Sequence, residues 1–255
     1  MTYEVSGKLG DVVWYMATLK ELGKNETFNE VVLTDRFPFF NWNEAEPLLR
    51  PLLEAQPYIH SVRRGLNGEG MVDLNTWWLD DFRNGRLAPD GSWNIASLCL
   101  DRFQLPHSCL DEPWISSPMR PQAEYSPKYI VARNAQSHCH NAAMPWRRIM
   151  DCVRSETAFI GLKTEWERFN ADYGPIEHLS VPDLAVAAAY IAGAKGVFCN
   201  QSVFHAIAEG LKKPVLLEVC NDFPSVIFRR PRAFYAWSGR AEWWPSLDEV
   251  LASMR

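Results

Sequence analysis

The chain has 255 residues, 47% of them hydrophobic and 22% charged, with no low-complexity tract; this suits one large domain or two of roughly 120 residues and argues against extensive disorder. A net charge of −5 at pH 7 makes a nucleic-acid partner unlikely without excluding one, because such partners select a basic footprint, and here only Arg147-Arg148 and Arg229-Arg230-Pro231-Arg232 are locally basic. No run of about 18 apolar residues exists, the start has neither a basic stretch nor an apolar core, and the six cysteines form no C-x-x-C pair, so the expectation is a cytoplasmic protein with reduced thiols and no transmembrane helix, with peripheral membrane contact left open.

Residues 2–6, TYEVS, form a short strand candidate that runs into the loop Gly7-Lys8-Leu9-Gly10-Asp11. Val12, Met16, Leu19 and Leu22 then recur at helical spacing, and Gly23 is placed to end that helix. EVVLTD (30–35), YIHSVRR (58–64) and MVDLN (71–75) are further strands, with helices expected over EAEPLLRPLLEAQ and SWNIASLCLDRFQL. This β-α rhythm predicts a mostly parallel sheet covered on both faces. Pro113, Pro118, Pro121 and Pro127 then break the pattern, which makes this stretch the linker candidate.

The rhythm restarts with strands at KYIVARN (128–134), AFIGL (158–162), GVFCN (196–200) and KPVLLEV (213–219). Helices are expected at MPWRRIMDCV (144–153), KTEWERFNADYG (163–174), VPDLAVAAAYIAGA (181–194, with Pro182 in its first turn), SVFHAIAEGL (202–211) and SLDEVLASM (246–254). Two such α/β units would meet at a cleft between the carboxyl ends of their sheets, where ligands of open α/β folds bind. The eleven tryptophans read as core and interface packing, with a few indole platforms for sugar rings as the sharper alternative.

The junction of strand and helix at Asn200-Gln201-Ser202 suits a phosphate, because a helix N-terminus presents free N–H groups and a partial positive charge. His205 and Glu209 lie four apart on one face of that helix; an ordinary cap with a surface histidine is the plainer alternative. A dinucleotide fingerprint at the first loop is disfavoured. Asp35 is placed to hold a ribose, yet the loop reads G-x-x-G-D and its aspartate would repel a pyrophosphate. His138, Cys139 and His140 lack a second ligand pair at zinc spacing, and Asp80-Asp81 is not a D-x-D motif, so no metal is expected. Walker and G-x-S-x-G loops are absent from the sequence.

Three stretches together resemble the heptosyltransferase-like glycosyltransferases of family 9: GKLGDVVWYMATLKELG (7–23), FIGLKTEWERF (159–169) and CNQSVFHAIAEGLKKPVLLE (199–218). The likeness covers the start of the first half and most of 129–220, while residues 38–125 match in rhythm only. It implies a GT-B fold of two Rossmann-like domains facing each other across a cleft. Residues 1–124 would be the acceptor side and 125–255 the nucleotide-sugar donor side, the last helix being free to pack back on the first domain. It implies transfer of a hexosyl or heptosyl group from a nucleoside-diphosphate sugar to a hydroxyl of a glycan or small molecule, inverting, without metal or other cofactor. Asp11 matches the family's base, on a loop with Gly7, Lys8 and Gly10. Glu165 matches its nucleoside-contacting carboxylate, and Asn200, Gln201, Ser202 and His205 its phosphate turn, with Glu209 beside them. Asn200 departs from the usual Asp, and the lysine that neutralises the donor phosphates has no clear equivalent; Arg133, His138 or His140 are the substitutes on offer. A non-catalytic nucleotide-sugar binding protein and a sugar-nucleotide epimerase of the same fold are the alternatives.

Overall fold

The computed structural model describes residues 1–25, 28–34, 42–70, 72–74, 81, 84–88, 90–117, 128–135, 140–238 and 246–254. The expected domain boundary at 124/125, and the residues Asp35, Asp80, His138 and Cys139, lie outside them. The first half runs β1 (Thr2–Val5), α1 (Leu9–Leu22), β2 (Glu30–Leu33), α2 (Trp42–Glu54), β3 (Ser61–Arg64), β4 (Val72–Asp73) and α3 (Ile95–Arg102). Its four strands are parallel, in the order β3-β2-β1-β4.

The second half runs β5 (Tyr129–Ala132), α4 (Trp146–Val153), β6 (Thr157–Ile160), α5 (Lys163–Tyr173), β7 (Glu177–Leu179), α6 (Leu184–Gly193), β8 (Gly196–Asn200), α7 (Val203–Gly210), β9 (Val215–Glu218), β10 (Ala233–Ala236) and α8 (Leu247–Met254). Its sheet is parallel, ordered β10-β9-β8-β5-β6-β7. Counted from its own first strand this is the doubly wound order, which reverses between β5 and β8. The central strands YIVA, TAFI, GVFCN and VLLE are buried throughout, because helices cover both faces of the sheet.

Local chemistry sets the helix starts. Asn94 caps α3 by accepting from Ser97 N at 2.8 Å, and Asp183 caps α6 by accepting from Val186 N at 2.9 Å. Pro182 therefore precedes the cap of α6 and is not in its first turn. The closing helix does not turn back on the first half: Leu247, Val250, Leu251 and Met254 pack into a cluster with Tyr129, Phe159, Phe198 and Leu216 of the second.

A second apolar core joins the two halves. It runs from Tyr3, Val12 and Trp14 through Trp114 and Ile115 to Ala206, Ile207 and Phe228. Phe228 stacks on Trp14 with ring centroids 5.1 Å apart, and Ile95 N donates to Ser225 O at 2.9 Å. The start of the proline-rich break is a brace and not an exposed linker. Trp114 N and Ile115 N both donate to Gly210 O, Tyr58 Oη donates to Trp114 O at 2.5 Å, and Gln56 clasps Ser116 in both directions.

This brace dictates the residue at position 210. A Cβ there would stand 2.4 Å from Ile115 Cδ1 and 3.0 Å from Trp114 Nε1. Ala is intrinsically a better helix former than Gly by about 1 kcal/mol, but the overpacking costs typically about 1–3 kcal/mol. Gly210→Ala is therefore expected to lower Tm, and a calorimetric scan showing a higher Tm would contradict this packing.

Candidate active site

The carboxyl ends of the two sheets carry the residues singled out in the sequence. In the first half, β1 ends in Ser6 and turns at Gly7, whose φ of +116° is a conformation that a side chain opposes. Lys8 then takes the cap position of α1, and its backbone N–H donates to Asp11 Oδ2 at 3.0 Å. Asp11 sits in the first turn of α1 and is partly buried. Burial raises its carboxyl from 3.8 to about 6, against the opposing pull of the Lys8 N–H and the Lys8 ammonium charge.

Gly10 brings this loop against the second half. An added Cβ would lie 3.7 Å from Val203 N and 3.9 Å from Ser202 C, so the mouth of α1 touches the amino end of α7. The expected cleft is thus closed by direct contact at this point. Ser202 is the cap residue of α7, yet its hydroxyl makes no capping bond, and Oγ is buried without a hydrogen-bond partner. The first turn of α7 consequently receives no side-chain cap, which leaves its N–H groups available to an anion.

Asn200 and Gln201 shape this turn through their side chains. Asn200 Oδ1 accepts from Asn134 N at 3.0 Å, its Nδ2 donates to Asn134 Oδ1 at 3.0 Å, and Asn134 Nδ2 donates to Gln201 O at 2.9 Å. The β5 and β8 ends are thereby locked together at the switch point. Gln201 Oε1 accepts from Cys220 N at 2.5 Å, and Gln201 Nε2 donates to Phe223 O at 2.9 Å, tying the turn to the loop after β9. Glu165, in the first turn of α5, accepts from Leu162 N at 3.0 Å and Ala135 N at 3.3 Å, which holds its carboxylate at the same edge.

Four further candidates meet other surroundings. Arg133 makes a two-point ion pair with Glu218, Nε to Oε2 at 2.8 Å and Nη2 to Oε1 at 3.1 Å, and lies over the rings of Trp146 and Tyr173. His205 is fully buried edge-on to Trp14, centroids 5.4 Å apart, and neither ring nitrogen has a hydrogen-bond partner. Burial, with Arg230 nearby, pulls its pKa down to about 3, so it is neutral and supplies no positive charge to a phosphate. The surface histidine of the plainer alternative is therefore not what the structure contains. Glu209 is also fully buried, its Oε2 accepting from Arg230 Nε at 2.7 Å, in the seam between the halves. Burial raises its carboxyl more than Arg230 lowers it. His140 Nε2 engages Asn134 O at 2.9 Å.

Glu218 is the residue that the sequence reading missed. Fully buried at the end of β9, it holds Arg133, accepts from Asn141 N at 2.7 Å and from Trp146 Nε1 at 3.0 Å. A carboxylate ending the apolar run VLLE was the available signal. Among the described residues no group of three His, Cys, Asp or Glu is arranged to hold a metal ion, and no helix is long and apolar enough to cross a membrane. An open depression lined by Lys128, Asp151, Arg154, Pro175 and Glu177 lies at the opposite, amino edge of the second sheet, away from these residues.

Solved structures share the fold. A family 9 glycosyl transferase from Veillonella parvula superposes over 99% of this chain and 88% of its own, with a TM-score of 0.60 at 12% identity. The E. coli ADP-heptose lipopolysaccharide heptosyltransferase II matches over 100% of this chain and 98% of its own, with a TM-score of 0.51 at 14% identity. The fold is that of the heptosyltransferases. A third neighbour, the E. coli heptosyltransferase WaaC solved with ADP-2-deoxy-2-fluoro heptose, covers 85% of this chain and 88% of its own, with a TM-score of 0.50 at 11% identity. No protein-family model matches the chain, and no curated protein matches its sequence. Two parallel α/β units meeting at their carboxyl edges make this a GT-B architecture.

Proposed function

We propose that the protein is a glycosyltransferase that moves a sugar from a nucleoside-diphosphate sugar to an acceptor hydroxyl, with Asp11 as general base. One observation carries this reading: the Asp11 loop touches the uncapped amino end of α7, the helix that begins at the reversal point of a doubly wound sheet. The donor diphosphate would lie on the N–H groups of α7, with Ser202 Oγ supplying a further hydrogen bond. Glu165 would accept from the ribose hydroxyls. The acceptor oxygen would attack the anomeric carbon as its proton passes to Asp11. The bond to the diphosphate breaks in the same displacement, its electron pair leaving with the nucleotide and the anomeric centre inverting. A positioned carboxylate of this kind typically contributes about 10²–10⁴-fold. The neighbour solved with an ADP-sugar analogue supports a nucleotide-sugar donor.

Calorimetric titration with ADP, GDP and UDP tests the donor site. Ser202→Asp sets a negative charge against the diphosphate, and affinity for the best nucleotide is expected to fall at least about tenfold, roughly 1.4 kcal/mol. Unchanged affinity in a folded variant would move the phosphate site elsewhere. Transfer of sugar from the matching nucleotide sugar then separates an enzyme from a binding protein.

A further inference from the structure

The proposed donor site places a carboxylate close to a diphosphate, and like charges there need a cation. Among the described residues, the second-half cations offered for this role are spent: Arg133 is paired with Glu218 and His205 is buried. His140 is engaged with a backbone carbonyl. Lys8 is different. It is exposed, it is the cap residue of α1, and its ammonium makes no ion pair or hydrogen bond among the described residues. Gly10, two residues further on, rests on the backbone of Ser202 and Val203 at the amino end of α7. A lysine's four-carbon stem is flexible and its ammonium is a compact point charge suited to phosphate.

We infer that Lys8 supplies the countercharge for the donor's diphosphate, reaching from the first half to an anion seated on α7 of the second. The assignment rests on the donor site proposed above. It explains how Asp11 and a diphosphate share one mouth: the ammonium stands beside both, offsetting the repulsion before transfer and the growing charge on the leaving nucleotide during it. The same charge already acts on Asp11, where it favours the carboxylate. Lys8 would then be the phosphate cation, supplied by the acceptor-side loop, and the diphosphate would bridge the two halves.

The test titrates ADP, GDP, UDP and inorganic pyrophosphate into wild type, Lys8→Ala, Lys8→Gln and Lys8→Arg by calorimetry, at low and high salt. Lys8→Ala and Lys8→Gln are expected to weaken the best nucleoside diphosphate and pyrophosphate about tenfold or more. Lys8→Arg should stay within about threefold, since the charge is kept. The salt dependence of binding should be shallower in the two neutral variants, and the unphosphorylated nucleoside should bind all four proteins alike. Carboxyl NMR titration of Asp11 should move upward in Lys8→Ala, a change that a purely structural loop residue would not produce. Wild-type binding with Lys8→Ala within about twofold overturns the assignment to Lys8 alone. Failure of wild type to bind any of the four ligands overturns it together with the donor site.

Discussion

Asp11→Asn is expected to lower kcat by about 100-fold or more, while the affinity for the nucleoside diphosphate changes less than about threefold. The substitution keeps the size of the side chain and an oxygen to accept the Lys8 N–H, and removes only the proposed base. The pH dependence follows from the raised carboxyl. With Asp11 as the proposed base the active form is the carboxylate, so wild-type kcat/KM should fall as pH drops through about 6, well above the ordinary 3.8. Stability moves in the opposite sense. A carboxyl whose folded pKa is raised costs stability above that pKa, and the cost disappears as pH falls below the unfolded value. The Asn variant should therefore melt no lower than wild type at pH 7 to 8, and any advantage should vanish near about pH 4. Sugar transfer to a confirmed acceptor, run beside donor titration, decides the matter: wild-type turnover by the Asn variant would reduce Asp11 to a helix cap.

The largest loss of stability is expected from Glu218→Ala. Its carboxylate meets Arg133 at two points, Asn141 N and Trp146 Nε1, and no solvent reaches it. Removing one partner of a buried pair leaves the other charge uncompensated, a loss of about 3–5 kcal/mol. In a chain of this size that lowers Tm on the order of 10 °C. Arg133→Met combined with Glu218→Leu should recover part of it, because the unpaired charge goes with its partner. A Tm within about 2 °C of wild type for Glu218→Ala would mean that the clasp is not formed in solution.

The central strands were legible because a parallel strand covered on both faces is a run of apolar residues, as in GVFCN, which is β8 residue for residue. The strands that were not anticipated, β7 and β10, are the two edges of the second sheet. Glu177 and His178 of β7 are not buried, so the strand carries too little apolar signal. The turns that end β1 and β8 were legible too, Gly7-Lys8 after β1 and Gln201-Ser202 after β8, although Leu9, Gly10 and Asp11 of the expected loop already belong to α1. What was hidden is how charges are spent. Arg133 meets Glu218 across 85 residues of chain, and His205 is enclosed by Trp14 from the other half. Spacing within one helix places His205 and Glu209 on a common face but says nothing of which neighbour that face meets.

The seam of Trp14, Trp114, Phe228 and His205 bears on how this molecule moves and melts. Swinging the halves apart as on a hinge would wet three large rings and break the backbone bonds from Trp114 and Ile95, so ligand traffic falls to the loops at the sheet edges. Separation would strip the cover that Trp14 and Trp114 share with Phe228 and Ile207, while the cluster around Phe159 and Phe198 lies wholly within the second half. The shared core is expected to couple the unfolding of the two sheets.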